Sequence, residues 1–173
     1  MPSSRFHGFS LKPVVILTAL VCAISPPRLA DARSGQAAQS KPNFSGEWTL
    51  VIDKSDFGPT APPTSMQRTV THADPSLKYV TVLRTAAGEM KTETTFSTDG
   101  KPQKNTVQGS QMLTTGKWDG NTIVLSSTME VQGIKVSMEE RLAMSEGGKT
   151  LTVTRSFTTP DGPFTMKFVL TKK

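Results

Sequence analysis

The sequence predicts an all-β domain, an antiparallel up-and-down meander of about ten strands. Turn-forming pairs such as Asp99-Gly100, Asp119-Gly120 and Gly147-Gly148 recur at regular intervals, and pairs of this kind between apolar segments mark β-hairpins. The intervening segments have strand length, are rich in Val, Thr, Ile and Phe, and largely alternate apolar with polar side chains. No stretch has the sustained periodicity of a helix.

The predicted sheet is expected to close into a barrel because of its two edge strands. A meander leaves two edge strands whose backbone amides and carbonyls lack partners, and closing the sheet into a barrel removes that problem. The even spacing of the hairpins favours a barrel, and a β-sandwich is the alternative.

Residues 1–32 have the features of a signal peptide. Two basic residues precede a short apolar run at 14–25, and Ala30 and Ala32 form an A-x-A cleavage site. The run is too short to span a bilayer. The sequence therefore predicts export to the periplasm or the medium, with no membrane span left after cleavage.

The mature chain offers little of the chemistry that enzymes use. Residues 33–42 are small and polar and predict a flexible leader, and residues 43–173 have the length of a single β-barrel domain. Cleavage removes Cys22 and leaves His72 as the remaining histidine, which excludes a disulfide, a thiol nucleophile and a cysteine-based zinc site. We identify no catalytic residue, no metal motif and no cofactor motif.

The charge of the chain argues against a nucleic-acid partner. The signal peptide holds three basic residues and one acidic residue, so its removal lowers the formal net charge from +6 to +4. The basic residues are spread evenly, whereas nucleic-acid binders cluster them and interleave aromatic residues. We interpret this surplus as a solvated surface that keeps the protein soluble.

A proline-rich segment at 53–64, DKSDFGPTAPPT, joins the first two predicted strands. Its three prolines and one glycine exclude a regular helix and predict a rigid, exposed loop. Such a preorganised surface gives an alternative function, that of an envelope or host-facing interaction protein.

The stretch NFSGEWTL resembles the first-strand motif of the calycins, the lipocalins and fatty-acid-binding proteins, with Gly46 and Trp48 in the G-x-W positions. The resemblance implies a barrel that binds a small molecule inside, with Gly46 and Trp48 as structural residues of its base. DKSDFG also resembles secreted bacterial proteins of uncharacterised type, which implies no activity. The chain departs from both branches. The proline-rich loop leaves no room for the helix-turn-helix of the fatty-acid-binding proteins, and the C-terminus is a strand where lipocalins have a helix.

Arg155 lies on an apolar strand face. In GKTLTVTRSFTT it shares that face with Leu151, Val153 and Phe157, because alternate side chains of a strand point the same way. The resemblance to fatty-acid-binding proteins implies that Arg155 holds a ligand carboxylate, although Phe157 stands where that family has a tyrosine. The resemblance to lipocalins implies instead that Arg155 lies across Trp48 and closes the base through a cation–π contact.

Further ionisable residues fall on apolar faces. Glu140 lies on the strand before Arg155, where the two could pair across the hairpin, and Arg68 and His72 share a face with Met66. A buried charge needs a partner, so these positions indicate an interior polar cluster, with residues at the rim of the barrel as the alternative. The predicted ligand-binding residues are Arg155, Arg68, Tyr79, Glu140, His72, Phe96 and Phe157.

These features together predict a secreted or periplasmic binding protein for a small hydrophobic or amphipathic, acidic ligand. An isomerase-like enzyme that transfers protons through His72 and Glu140 is an alternative. A dry core packed with Phe and Met side chains is the alternative to an open cavity.

Overall fold

The computed structural model describes residues 41–131, 133–145 and 147–173. These form ten strands and a three-residue 3-10 helix at Ile52–Lys54, so the predicted all-β meander is confirmed. The predicted signal peptide, 1–32, and most of the predicted leader lie outside the described residues. The strands are β1 (Gly46–Leu50), β2 (Ser65–Ala73), β3 (Ser76–Thr85), β4 (Gly88–Ser97), β5 (Gln103–Val107), β6 (Ser110–Asp119), β7 (Thr122–Val131), β8 (Ile134–Met144), β9 (Thr150–Thr159) and β10 (Gly162–Lys172).

The ten strands form one continuous antiparallel sheet in the order β4-β3-β2-β1-β10-β9-β8-β7-β6-β5. The first and last strands are hydrogen-bonded neighbours, with Trp48 opposite Lys172 and Leu50 opposite Leu170. The sheet curls until β4 and β5 approach each other, which makes a nearly closed barrel. The alternative prediction of a β-sandwich is therefore wrong. Across the part of the chain that the structure describes, no helix is long and apolar enough to cross a membrane.

The join between β4 and β5 differs from the other strand contacts, because the two strands share no backbone ladder. The side-chain amide of Asn105 on β5 takes the place of a backbone partner. Its Oδ1 accepts from the backbone N–H of Thr95 at 2.8 Å, and its Nδ2 donates to the Thr95 carbonyl at 2.9 Å. Asn105 therefore links the two ends of the sheet at one point.

Strand alternation separates the barrel interior from the solvent. On β2, Met66, Arg68, Val70 and His72 are buried, whereas the residues between them are exposed. One-face burial of this kind fixes the register of each strand, because a slip by one residue would expose the whole buried set.

One end of the barrel, which we call the base, is filled by fully buried apolar side chains. They are Phe44, Trp48, Leu77, Ile123, Leu142, Leu151 and Leu170. The indole Nε1–H of Trp48 donates to the carbonyl of Phe44 at 3.1 Å. At Gly46, φ is +144°, a backbone conformation that glycine adopts readily and other residues adopt only with strain. Gly46 and Trp48 therefore lie at the base.

The loop between β1 and β2 follows β10 before it crosses to β2. The backbone N–H of Val51 donates to Val169 at 2.8 Å, and Asp56 and Lys167 exchange two backbone hydrogen bonds of 2.7 Å. The ring of Phe57 packs edge-on against Phe168 with centroids 5.9 Å apart. The first half of the loop is therefore fixed to the barrel wall, and the segment from 58 to 62 is exposed.

Candidate functional site

A cavity of about 310 Å³ lies inside the barrel. The interior is therefore not the fully packed core that the sequence left as an alternative. The lining residues are Met66, Arg68, Tyr79, Thr81, Leu83, Met90, Thr92, Thr94, Phe96, Val107, Gln108, Met112, Leu125, Ser127, Met129, Met138, Glu140, Arg155, Phe157 and Phe168.

The structure brings six of the seven predicted ligand-binding residues to this cavity, and places His72 elsewhere. Sequence reasoning did not identify Met112 and Met129, which lie opposite each other on β6 and β7 and line the same wall. Alternation counted from the Asp119-Gly120 turn could have placed both on the inner face. Gln108 was also missed, and it has φ of 51° in the β5–β6 turn, where no strand alternation applies.

Two guanidinium groups share one carboxylate in the cavity wall. Glu140 lies directly opposite Arg155 in the β8–β9 register, and Nε of Arg155 donates to Oε2 of Glu140. Nη1 of Arg68 lies 3.7 Å from Oε1 of Glu140, although β2 and β8 are not neighbours in the sheet. We call Arg68, Glu140 and Arg155 the charged centre.

Arg68 is held in place by two contacts besides Glu140. Its Nε donates to Oγ1 of Thr81 at 3.1 Å, and its guanidinium carbon lies 4.7 Å from the centroid of the Tyr79 ring. These contacts lock the orientation of a side chain that is only 3% exposed. Its position in the cavity is therefore preorganised.

The charged centre carries a net charge of +1. Burial raises the pKa of the Glu140 carboxyl, but Arg155 and Arg68 together outweigh that cost and hold the pKa below its usual value. Burial lowers the pKa of Arg68, and Glu140 opposes that shift, so a guanidinium remains protonated at neutral pH. Burial also raises the pKa of Tyr79 well above its ordinary value. Its hydroxyl therefore stays protonated and remains a donor.

Three polar atoms at this centre lack hydrogen-bond partners among the described residues. They are Nη1 of Arg68, Oε1 of Glu140 and the hydroxyl of Tyr79. Buried polar atoms without partners are rare, because each costs about 1–3 kcal/mol. The side chains of Arg68, Glu140 and Tyr79 line the cavity, but these three atoms are themselves almost fully buried, so a bound molecule reaches them only if a side chain shifts.

The contacts of Arg155 distinguish its two predicted roles, which are ligand binding and a cation–π contact with Trp48. The guanidinium carbon of Arg155 lies 5.3 Å from the ring centroid of Phe168, whereas Nζ of Lys172 lies 5.4 Å from the ring centroid of Trp48. Lys172 therefore makes the cation–π contact at the base that the lipocalin resemblance assigned to Arg155. The reason is the β1–β10 register, in which Lys172 lies directly opposite Trp48.

His72 belongs to a polar network at the base. Its Nδ1 accepts the backbone N–H of Phe44 at 3.2 Å, and its Nε2 lies 3.9 Å from Oδ1 of Asp74. The same Asp74 oxygen accepts from Nε1 of Trp118 at 2.7 Å and from Oγ1 of Thr98 at 2.5 Å. His72 therefore does not line the cavity, because the last inward position of β2 lies at the closed end of the barrel.

We expect the protein to lose stability as the pH falls below about 6.5, the ordinary pKa of histidine, through the titration of His72. Burial lowers the pKa of His72 below its ordinary value, with Asp74 partly opposing the shift. The unfolded chain, with a histidine pKa of about 6.5, therefore takes up a proton before the folded chain does, which favours unfolding. Urea titrations across this pH range measure the effect. The variant His72→Asn, which keeps an acceptor for Phe44, should have a flatter pH profile, and an equally steep profile would contradict the assignment.

Comparison with known proteins identifies the fold and not a family. No family model and no curated protein matches the chain. A crystal structure of a mutant of the fluorescent protein UnaG aligns with a TM-score of 0.51 at 11% identity, covering 75% of this chain and 96% of that one. A secretory abundant heat soluble protein from Ramazzottius varieornatus aligns with a TM-score of 0.53 at 11% identity, covering 77% and 98%. Together with the ten-stranded barrel, these similarities confirm the calycin-like fold that the first-strand motif predicts.

Proposed function

We propose that the protein binds a small amphipathic ligand with an acidic group inside its barrel, and that it does so after export to the periplasm or the medium. The observation that carries the proposal is the charged centre, in which two guanidinium groups share one carboxylate within a cavity. The structural likeness to fatty-acid-binding-protein-like barrels supports a small-ligand role. The proposal of export rests on residues 1–32, which lie outside the described residues.

The net charge of the centre favours an anionic head group. In a cavity with mostly apolar walls, a surplus positive charge is less screened than at the surface, so a carboxylate that neutralises it gains more than it would at the surface. Arg155 is the more accessible of the two arginines, with a side chain that is 27% exposed. Charge-assisted hydrogen bonds from a guanidinium to a carboxylate are among the strong ones in proteins.

The rest of the cavity suits a flexible apolar tail. Five methionines line it, namely Met66, Met90, Met112, Met129 and Met138, together with Phe96, Phe157 and Phe168. Methionine is unbranched and polarizable, so it adapts to differing shapes. A cavity with an apolar wall and a few placed polar groups is the usual form of a small-molecule site.

We expect Arg155→Gln to weaken the binding of dodecanoate by at least about tenfold and to change the binding of dodecan-1-ol little. The lost hydrogen bonds to a charged group are worth about 1.5–3 kcal/mol, and each 1.4 kcal/mol is about a factor of ten in affinity. Displacement of a naphthalene sulfonate dye from the purified protein measures both affinities.

Arg141→Gln is the matched control, because Arg141 lies on the same hairpin but is exposed and pairs with Asp119 and Glu139 on the surface. It should leave both affinities unchanged. Equal losses for acid and alcohol in Arg155→Gln would indicate a damaged barrel and contradict the role of Arg155. Failure of the unmodified protein to bind either ligand would contradict the proposed function.

A further inference from the structure

Arg68 and Glu140 are too far apart for a direct hydrogen bond but close enough for one oxygen atom to bridge them. Nη1 of Arg68 and Oε1 of Glu140 are 3.7 Å apart, which is longer than the roughly 2.7–3.2 Å of a hydrogen bond. Both side chains are 3% exposed and both atoms lack partners. By distance alone, a single oxygen could hydrogen-bond to both, and because both atoms are almost fully buried, it would enter only with a shift of Arg68 or Glu140.

The chemistry of the two atoms determines what that oxygen is. Nη1 of Arg68 only donates, and the ionised Glu140 only accepts. A carboxylate oxygen in the gap would satisfy Arg68 but has no proton to donate to Oε1 of Glu140, so two negatively charged oxygens would be in direct contact. An ammonium group would satisfy Glu140 and repel Arg68. A hydroxyl both accepts and donates, so it satisfies the two atoms together.

We propose that the ligand is a hydroxylated acid, in which a hydroxyl close to the carboxylate bridges Arg68 and Glu140 while Arg155 receives the carboxylate. This inference rests on the proposed function and names its ligand class. The hydroxyl must lie near the head group because Arg155 and Glu140 are cross-strand neighbours in direct contact. The cavity of about 310 Å³ limits the tail to a medium length.

A series of matched acids tests the proposal on the unmodified protein. Dodecanoic acid is compared with its α-hydroxy, β-hydroxy and ω-hydroxy derivatives by isothermal titration calorimetry. We expect the α-hydroxy or the β-hydroxy acid to bind at least about tenfold more tightly than dodecanoic acid, because the hydroxyl bonds to two charged groups. The ω-hydroxy acid carries the same group at the far end of the tail, so it should show no gain.

A double variant tests whether the bridge is the source of the preference. Arg68→Met with Glu140→Met removes both bridging atoms, leaves the net charge at +1 and leaves Arg155 in place. Replacing a buried ion pair by apolar residues of similar volume is often tolerated. We expect this protein to bind the hydroxylated and the plain acids with equal affinity.

The outcomes separate the two proposals. Equal binding of plain and hydroxylated acids by the unmodified protein overturns this inference and leaves the proposed function standing. Binding of no acid overturns the proposed function as well. If the double variant still binds hydroxylated acids more tightly than plain acids, other residues recognise the hydroxyl, and the proposed bridge between Arg68 and Glu140 is wrong. If the double variant does not fold, the ligand series on the unmodified protein decides alone.

Discussion

Glu140→Gln is expected to lower the free energy of unfolding by about 3–5 kcal/mol, the range measured when one partner of a buried ion pair is removed. The substitution keeps the shape of the side chain and removes the negative charge that Arg68 and Arg155 share. Arg68 is 3% exposed and cannot turn to solvent, whereas Arg155 is 27% exposed and is partly hydrated. Most of the cost therefore comes from Arg68. Urea denaturation measures it.

Glu139→Gln is the control for that substitution. Glu139 is the preceding residue on β8, points outward, and accepts from Nη1 of Arg141 at 3.0 Å on the surface. Exposed ion pairs contribute about 0–1 kcal/mol, so this substitution should leave the free energy of unfolding nearly unchanged. Adding Arg68→Met to Glu140→Gln should restore part of the lost stability by removing the uncompensated charge. A cost below about 1 kcal/mol for Glu140→Gln would contradict a buried, ion-paired centre.

Trp48→Ala is expected to cost about 3–5 kcal/mol, as large-to-small substitutions of buried aromatic residues do. Trp48 is 1% exposed, and the surrounding base residues come from several strands that cannot all move into the space left behind. The loss should appear as a lower midpoint of chemical unfolding with an unchanged slope.

Trp48→Phe separates packing from hydrogen bonding at the same position. It keeps an aromatic ring but removes the indole N–H that donates to Phe44. We expect it to retain much of the stability that Trp48→Ala loses, with a remaining cost that includes the unpaired carbonyl of Phe44. Equal losses for the two variants would mean that the hydrogen bond, and not the filled volume, accounts for the role of Trp48.

Local patterns were enough to predict the sheet and part of the site. The turn pairs and the alternation along each segment predicted ten strands, and they are confirmed. The pairing of Glu140 with Arg155 was predictable because the two strands are joined by a short hairpin, so sequence distance fixes the register. The inward direction of Arg68 followed from the alternation on β2.

Contacts across the barrel could not be predicted in this way. Arg68 reaches Glu140 from a strand that is not its neighbour, and this approach depends on the tilt and closure of the whole sheet. The alternation placed His72 correctly on the inner face but gave no height along the barrel, so its position at the base was missed. The two backbone hydrogen bonds between Asp56 and Lys167 could not be predicted either, because the prolines and glycine of the loop indicate only that the chain is irregular.

The circumference of the barrel is set by nine strand pairs with backbone ladders and, between β4 and β5, by side-chain contacts that include Asn105 with Thr95 and Gln108 with Met90. Enlarging the circumference at any ladder would break a row of backbone hydrogen bonds. At Asn105 the same enlargement gives up two side-chain hydrogen bonds, worth about 1 kcal/mol each. The wall between β4 and β5 is therefore the place where the barrel can widen at the lowest cost in backbone hydrogen bonds.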